Sequence, residues 1–260
     1  MTLWLWACFN HLMISLLIWL RALLFIPYII VSTLFAAIMV IVLAHGVSVP
    51  MAMAFTRQFW ARPLLWFLGV DLEVRGLENL HLKKGSIVVF NHSSHMDIPI
   101  LFASSPKDIF FGAKIELFKI PFFGQAMSAV GALPIDRSQR AKVMKVYEAA
   151  IPRLHKGDSF ALAPEGTRQK EPRLGTFRKG PFQFATFAEA PLQPVVISGA
   201  IRLLPSKKLL PVTPRWKNKV IVEFLGQIVT HKEDDPIHLL EVAHSHMGEK
   251  LYELNGELGV

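Results

Sequence analysis

From Ala22 to Ala44 the chain carries no charged side chain. Such a run of 23 residues is long enough, as a helix, to cross a hydrocarbon core of about 30 Å. A second apolar stretch, Leu3 to Leu20, precedes it, broken only by Asn10, His11 and Ser15, and Arg21 separates the two. Pro27 is tolerable in a membrane helix, where neighbours re-satisfy the freed backbone. The apolar run is too long, and lacks the basic leader, for a cleaved signal peptide. The sequence leaves two membrane geometries open: both segments crossing as a hairpin, or the first lying in one leaflet, as Asn10 and His11 hint. A buried two-helix core of a soluble protein is the third reading.

Residues 48–69 mix apolar bulk (Phe59, Trp60, Leu64, Trp66) with Arg57 and Arg62, the pattern of an interfacial helix with tryptophans at headgroup level. The expected organisation is therefore membrane-anchoring helices over 1–69 (hydrophobic 3–44, interfacial 48–69) and a catalytic domain over 70–260. Arg57, Arg62, Arg75, Lys83 and Lys84 follow the anchor, and this basic excess places the domain on the cytoplasmic side of an inner or cytoplasmic membrane. A net charge of +8 calls for anionic partners. Beside so apolar an N-terminus these are lipid headgroups or phosphorylated substrates rather than nucleic acid, for which no recognition motif appears. One cysteine, Cys8, excludes an internal disulfide.

Beyond residue 70, strand-like and helix-like runs alternate. Val70–Val74, Ser86–Phe90, Asp108–Gly112, Ala132–Arg137, Ser159–Ala163, Pro194–Ser198 and Lys219–Phe224 read as strands. Helices are expected over Met96–Phe102, capped by Ser93 or Ser94; over Ile120–Val130; after Ser138 as a cap; over Phe182–Glu189; and from Asp235-Pro236. In the last, Ile237, Leu240, His244, Met247 and Leu251 line one face. The alternation predicts an α/β sandwich around a mostly parallel sheet. No GxGxxG, P-loop, HExxH or Gly-x-Ser-x-Gly elbow occurs, so no nucleotide fold, zinc site or serine-hydrolase site is expected.

Three of the strand ends carry chemistry. Asn91 and His92 follow a buried strand, with Asp97 five residues beyond His92. On an ideal helix five residues turn through roughly 140° beyond one revolution, so the two would not share a face. If they meet, His92 sits on the turn, where Asp97 can take its Nδ1–H and leave Nε2 as a general base. Alone, the pair reads equally as a helix-capping aspartate beside an ordinary turn histidine. Arg137 could simply pair with Asp136, Arg168 could belong to a solvated basic loop with Lys170 and Arg173, Glu165 could sit on a surface turn, and Lys114 could be a solvated strand end.

Taken together, however, Asn91-His92…Asp97, Gly131–Arg137, Glu165-Gly166-Thr167-Arg168 and the apolar strand Pro194–Ile197 occur in the order and spacing of the 1-acylglycerol-3-phosphate acyltransferase (PlsC-like) family. The chain resembles that family over about residues 70–200. The resemblance implies a glycerol-3-phosphate acyltransferase-like sandwich with an N-terminal helical membrane anchor. It also implies transfer of a fatty acyl group from acyl-CoA or acyl-ACP, as co-substrate, to the free hydroxyl of lysophosphatidic acid. The product is phosphatidic acid, and no cofactor or metal is needed. By the same resemblance His92 and Asp97 are catalytic, and Asn91, Lys114, Arg137, Glu165, Gly166, Thr167 and Arg168 bind substrate, Glu165 by aligning Arg168 or a glycerol hydroxyl. Another lyso-lipid acceptor, such as a lyso-ornithine lipid or a remodelled lysophospholipid, is the alternative, with a thioesterase or phospholipase behind it. His95 is read as a local residue with no role. The phenylalanines at 110, 111, 118, 122, 123, 182, 184 and 187 are read as mostly core, a few of them as candidates for an acyl-chain groove.

Overall fold

The computed structural model describes residues 2–205 and 216–260, with side chains from residue 13 onward. Asn10 and His11, the hint for a leaflet-embedded first segment, thus lie outside the described side chains. Helix α1 spans Thr2–Gly46 without interruption, Pro27 included. The two apolar segments are therefore one helix and not a hairpin. Its stretch Met13–Gly46 is the one helix, among the described residues, long and apolar enough to cross a membrane. One face of it is nonetheless covered by protein: Ala22, Phe25, Ala36, Ala37 and Val40 are buried. The small side chain at 37 lets it pack closely on Ala52 and Ala126. The opposite face, Leu16, Leu24, Val31, Phe35 and Val42 among it, is more than half exposed.

The chain then turns back through α2 (Val49–Phe55), a π-helical turn at Thr56–Ala61 and α3 (Arg62–Phe67). Ser48 caps α2, its hydroxyl accepting from the Met51 N–H. Pro63 cannot donate to the helical ladder, which accounts for the extra-wide turn just before it. This stretch is amphipathic, as its sequence predicts. Its inner face (Leu64, Leu65, Leu68) is part of the core beneath the sheet, while Phe59 and Trp66 stand out at 67% and 81% exposure.

Seven strands form one sheet: β1 (Val70–Arg75), β2 (Ile87–Phe90), β3 (Ile109–Lys114), β4 (Leu133–Ile135), β5 (Ser159–Leu162), β6 (Leu192–Ser198) and β7 (Asn218–Phe224). Their spatial order is β1-β7-β6-β2-β5-β3-β4, and every pair is parallel except β6 with β7. Along β2, Ile87 and Val89 face one layer and Val88 and Phe90 the other, the alternation a doubly covered strand requires. The first layer is α6 (Arg140–His155), α7 (Gly180–Ala188) and α8 (Pro236–Leu258). The second is α3, α4 (Asp97–Ser104) and the Phe25 region of α1, and α5 (Phe123–Val130) packs along α1 farther on.

Three local expectations are corrected. Ser138 does not cap α6; its N–H and hydroxyl both donate to Asp136 Oδ1, and Gln139 holds the cap position. Neither Ser93 nor Ser94 accepts a capping bond from the first turn inside α4, which starts directly at Asp97. On α8 the buried stripe runs Leu239, Ala243, Met247, Leu251 and Leu254, whereas Ile237 is 52% exposed. Ile237 lies in the first turn, whose N–H is held outward by the Asp235 cap.

Candidate active site

The C-terminal ends of β2, β3, β4 and β5 lie along one edge of the parallel array, where α/β sheets build sites. At the end of β2 the backbone leaves the sheet at Asn91 and re-enters helix at Asp97. His92 lies on that turn, and its Nδ1–H donates to Asp97 Oδ2 at 2.7 Å. The same oxygen accepts the Ser93 and Ser94 N–H groups, each at 2.8 Å. The capping relation is thus the reverse of the expected one, with the helix's own first carboxylate gathering the turn's donors. Asp97 is wholly buried and the His92 side chain 19% exposed. An acceptor-only carboxylate on Nδ1 fixes the tautomer, so Nε2 presents a lone pair able to take a proton from a hydroxyl.

The His92 peptide is clamped on both sides. Its N–H donates to Glu165 Oε1 at 2.8 Å, and its carbonyl accepts the Gln169 N–H at 2.7 Å. Glu165 Oε2 accepts the Gly175 N–H at 2.9 Å. The carboxylate is buried; burial pushes its pKa up and the two backbone donors pull it back. Glu165 thus accepts one backbone N–H on each oxygen. It ties the histidine turn to the basic loop, and both its oxygens are engaged. Asn91 also turns inward: its amide donates to the Ile197 carbonyl at 2.9 Å and accepts from the Ile197 N–H at 2.7 Å, stitching β2 to β6. Its side chain thus joins the strand ends that carry the site.

Gly166 has φ near +70°, and a Cβ there would stand 2.9 Å from Arg178 Nε, so a side chain would displace that guanidinium. Arg178 also lowers the pKa of half-buried Arg137, second to burial. Arg168 donates to the ring of His95. Burial, then Arg168, then His92 hold the His95 pKa below its ordinary value. Among the described residues, none of Arg137, Arg168 and Arg178 has a carboxylate within ion-pair distance. Arg137 and Arg178 neighbour each other by Gly166, and Arg168 lies at His95 beside the histidine turn; guanidinium groups so placed, without carboxylate partners among the described residues, suit an anion. Lys114, at the end of β3, pairs with Glu116 at 3.3 Å and is half exposed. Thr167 is exposed and shows only its carbonyl in a hydrogen bond, accepted from Gln169.

Sequence reasoning left two of these groups outside the site. Arg178, in the run Phe177-Arg178-Lys179-Gly180, resembles a basic position of the family, and only the fold brings it over Gly166. His95 was read as local, and only the position of Arg168 draws it in. Behind His92 lies a cavity of about 10 Å³ bounded by Asn91, Glu165, Gln169 and Asn255. Among the described residues no three His, Cys, Asp or Glu side chains gather as metal ligands.

The Acyltransferase family profile matches residues 71–198. The chain is 34% identical over 154 residues to a chloroplastic 1-acyl-sn-glycerol-3-phosphate acyltransferase of Arabidopsis thaliana, covering 58% of this chain and 42% of that one. It is 32% identical over 187 residues to a 1-acyl-sn-glycerol-3-phosphate acyltransferase of Cocos nucifera (71% and 59%). It is 33% identical over 142 residues to one from Helicobacter pylori (54% and 59%). The matches thus span about half the length of these curated relatives. In fold the chain is similar to the crystal structure of the 1-acyl-sn-glycerophosphate acyltransferase PlsC from Thermotoga maritima, with a TM-score of 0.77 at 23% identity over 93% of this chain and 97% of that one.

Proposed function

This chain belongs to the acyltransferase family, and from that premise we propose that it is a membrane-associated 1-acylglycerol-3-phosphate O-acyltransferase. It takes a fatty acyl group from a thioester donor, acyl-CoA or acyl-ACP, and places it on the free hydroxyl of lysophosphatidic acid. The observation that carries the reading is the 2.7 Å bond from His92 to a wholly buried carboxylate, with Arg168 at the neighbouring His95 and without a carboxylate partner among the described residues. His92 Nε2 removes the acceptor's hydroxyl proton as its oxygen attacks the thioester carbonyl. The buried Asp97 carboxylate stabilises the resulting imidazolium. Collapse of the tetrahedral intermediate breaks the C–S bond, and the imidazolium returns the proton to the departing thiolate. Arg168, with Arg137 and Arg178 across Gly166, holds the phosphate of the acceptor and so fixes its hydroxyl near His92. Lys114 lies next to this cluster, since it pairs in register with Ile135, two residues before Arg137.

The anchor comprises residues 1–69 and the acyltransferase domain 70–260, with α3 serving both by burying Leu64, Leu65 and Leu68 under the sheet. One face of α1 between Ala22 and Val40 lies against protein, so bilayer meets the opposite face. This favours a helix lying along one leaflet of the cytoplasmic membrane, its catalytic edge toward the cytoplasmic headgroups. The test is a panel of lyso-lipids assayed with acyl-CoA and with acyl-ACP. Lysophosphatidic acid should be the preferred acceptor, and H92A should be folded and inactive. Preference for an acceptor without phosphate, or turnover by H92A within a few-fold of wild type, refutes the reading.

A further inference from the structure

The segment from Leu117 to Phe122 follows β3 at the catalytic edge of the sheet and precedes α5. Phe122 has φ 62° and ψ −49°, and the Phe123 N–H bonds back to the Pro121 carbonyl at 2.7 Å. That is a γ-turn of the rare, strained hand, and a bulky aromatic at its centre is an outlier. The turn is pinned in place: Gln125 Oε1 accepts the Phe122 N–H at 3.1 Å, and the Gly124 N–H reaches the Ile120 carbonyl at 2.8 Å. Glycine would adopt this backbone without cost. Phe122 is also 48% exposed, Ile120 45% and Leu117 37%. In water both the backbone and the exposed half of the ring disfavour phenylalanine at 122.

The surroundings supply the missing partner. Phe122 and Phe118 line one open groove, about 710 Å³ in volume, with Ile38 and Val42 of α1. Ile38 and Val42 are themselves 41% and 56% exposed and belong to the uncovered stripe of α1. A bilayer that covers this stripe reaches Phe122 across the groove. Lys119, exposed in the same segment, stands among the apolar residues where an anionic headgroup would meet it. We infer that Leu117, Ile120 and Phe122 form a second membrane contact, a wedge that enters the headgroup layer beside α1 and seats the catalytic edge on the bilayer. The inference rests on the reading of α1 as a membrane helix.

The test uses the full chain in anionic vesicles, in a background with Cys8, the one cysteine, replaced by alanine. Single cysteines at Phe122, at Val31 on α1 and at Tyr252, 84% exposed on α8, carry an environment-sensitive dye. Spin-labelled lipids then quench it. Quenching at 122 and 31 but not at 252 supports the wedge. Quenching at 31 with none at 122 overturns the wedge and leaves α1 as anchor. None at either overturns both. A second arm uses F122G, which relieves the backbone. Its Tm in detergent should equal or exceed wild type, with activity on a micelle-dispersed short-chain acceptor unchanged. Turnover of vesicle-borne acceptor should fall about tenfold, the effect of removing a half-exposed phenyl group from lipid contact. Equal loss on both substrates would mark Phe122 as part of the substrate pocket, and a lower Tm would mark it as structural; either result overturns the wedge.

Discussion

Asp97 is the place where chemistry and folding can be separated by two substitutions. Its Oδ2 takes three donors, the His92 ring and the Ser93 and Ser94 N–H groups, while Oδ1 has no hydrogen-bond partner. In D97N the amide oxygen can occupy the Oδ2 position and keep all three bonds, with the amide nitrogen at the position of the unpartnered oxygen. The His92 tautomer is then preserved and only the negative charge is lost. A charge-assisted hydrogen bond is about twice as strong as a neutral one, a difference of about 1–1.5 kcal/mol. The loss of imidazolium stabilisation should therefore lower kcat by roughly 5- to 10-fold, well short of the roughly 10⁴-fold seen when an Asp-to-Asn change in a triad also inverts the tautomer. In D97A two buried backbone donors and the imidazole lose their acceptor together. At about 1–3 kcal/mol for each stranded donor, the fold should lose about 3–9 kcal/mol. For a chain of this size that lowers Tm by roughly 10 °C or more. Acyl-transfer kinetics and thermal unfolding of both variants in detergent would check this. A 10⁴-fold loss in D97N with unchanged Tm would show that the amide nitrogen faces His92, and so refute the one-oxygen arrangement. An unaltered Tm in D97A would refute the clamp.

E165Q keeps one of the two acceptors that hold His92 and Gly175, so it should cost about 1–3 kcal/mol and lower kcat more than it raises the acceptor KM, as steady-state kinetics and denaturant titration would reveal. His95 has its folded pKa below the ordinary histidine value. Between the two values the unfolded chain binds more protons than the native one, so stability is complete above the ordinary value and is lost as pH falls toward the lowered one. H95N should flatten the dependence of Tm on pH in that window, and an unchanged slope would rule His95 out as its source. R168A should raise the KM for lysophosphatidic acid by roughly 10-fold or more with little change in Tm; an unaltered KM would remove Arg168 from the phosphate site.

Much of the fold was readable because it rests on local rules. The strand runs β1 to β7 are β-branched and aromatic, and Asp235-Pro236 starts α8 as its cap chemistry dictates. The failures are places where a side chain had a choice of partners. Ser138 could cap α6 or bond Asp136, and Asp136, only two residues away, won. Ser94 could cap α4, but its hydroxyl accepts the Met96 N–H ahead of the helix and donates to the Leu204 carbonyl at 3.0 Å, more than a hundred residues along the chain. The anchor was legible as apolar length. That its two halves form one helix was not, since Arg21 between them reads as a break. In the fold Arg21 instead donates to the Trp216 carbonyl and lies over that indole ring, 4.9 Å from its centroid.

The site shows why motifs are visible in a sequence while their mutual geometry is not. His92 and Asp97 are close in the chain, and a turn suffices to join them. His92 and Glu165 are 73 residues apart, and what joins them is register. Val89 on β2 pairs with Leu162 on β5. Three residues beyond each lie His92 and Glu165, so the parallel ladder delivers the carboxylate to the histidine N–H once the strands leave the sheet. The same holds on the other flank, where Phe90 pairs with Val195 and the next residue, Asn91, bonds Ile197. A slip of one residue in either pairing would reverse the faces of β2 and carry His92 away from its clamp. The apolar alternation of β2 that fills both core layers is thus also what positions the imidazole, and substitutions in the strand can impair turnover without touching a polar group.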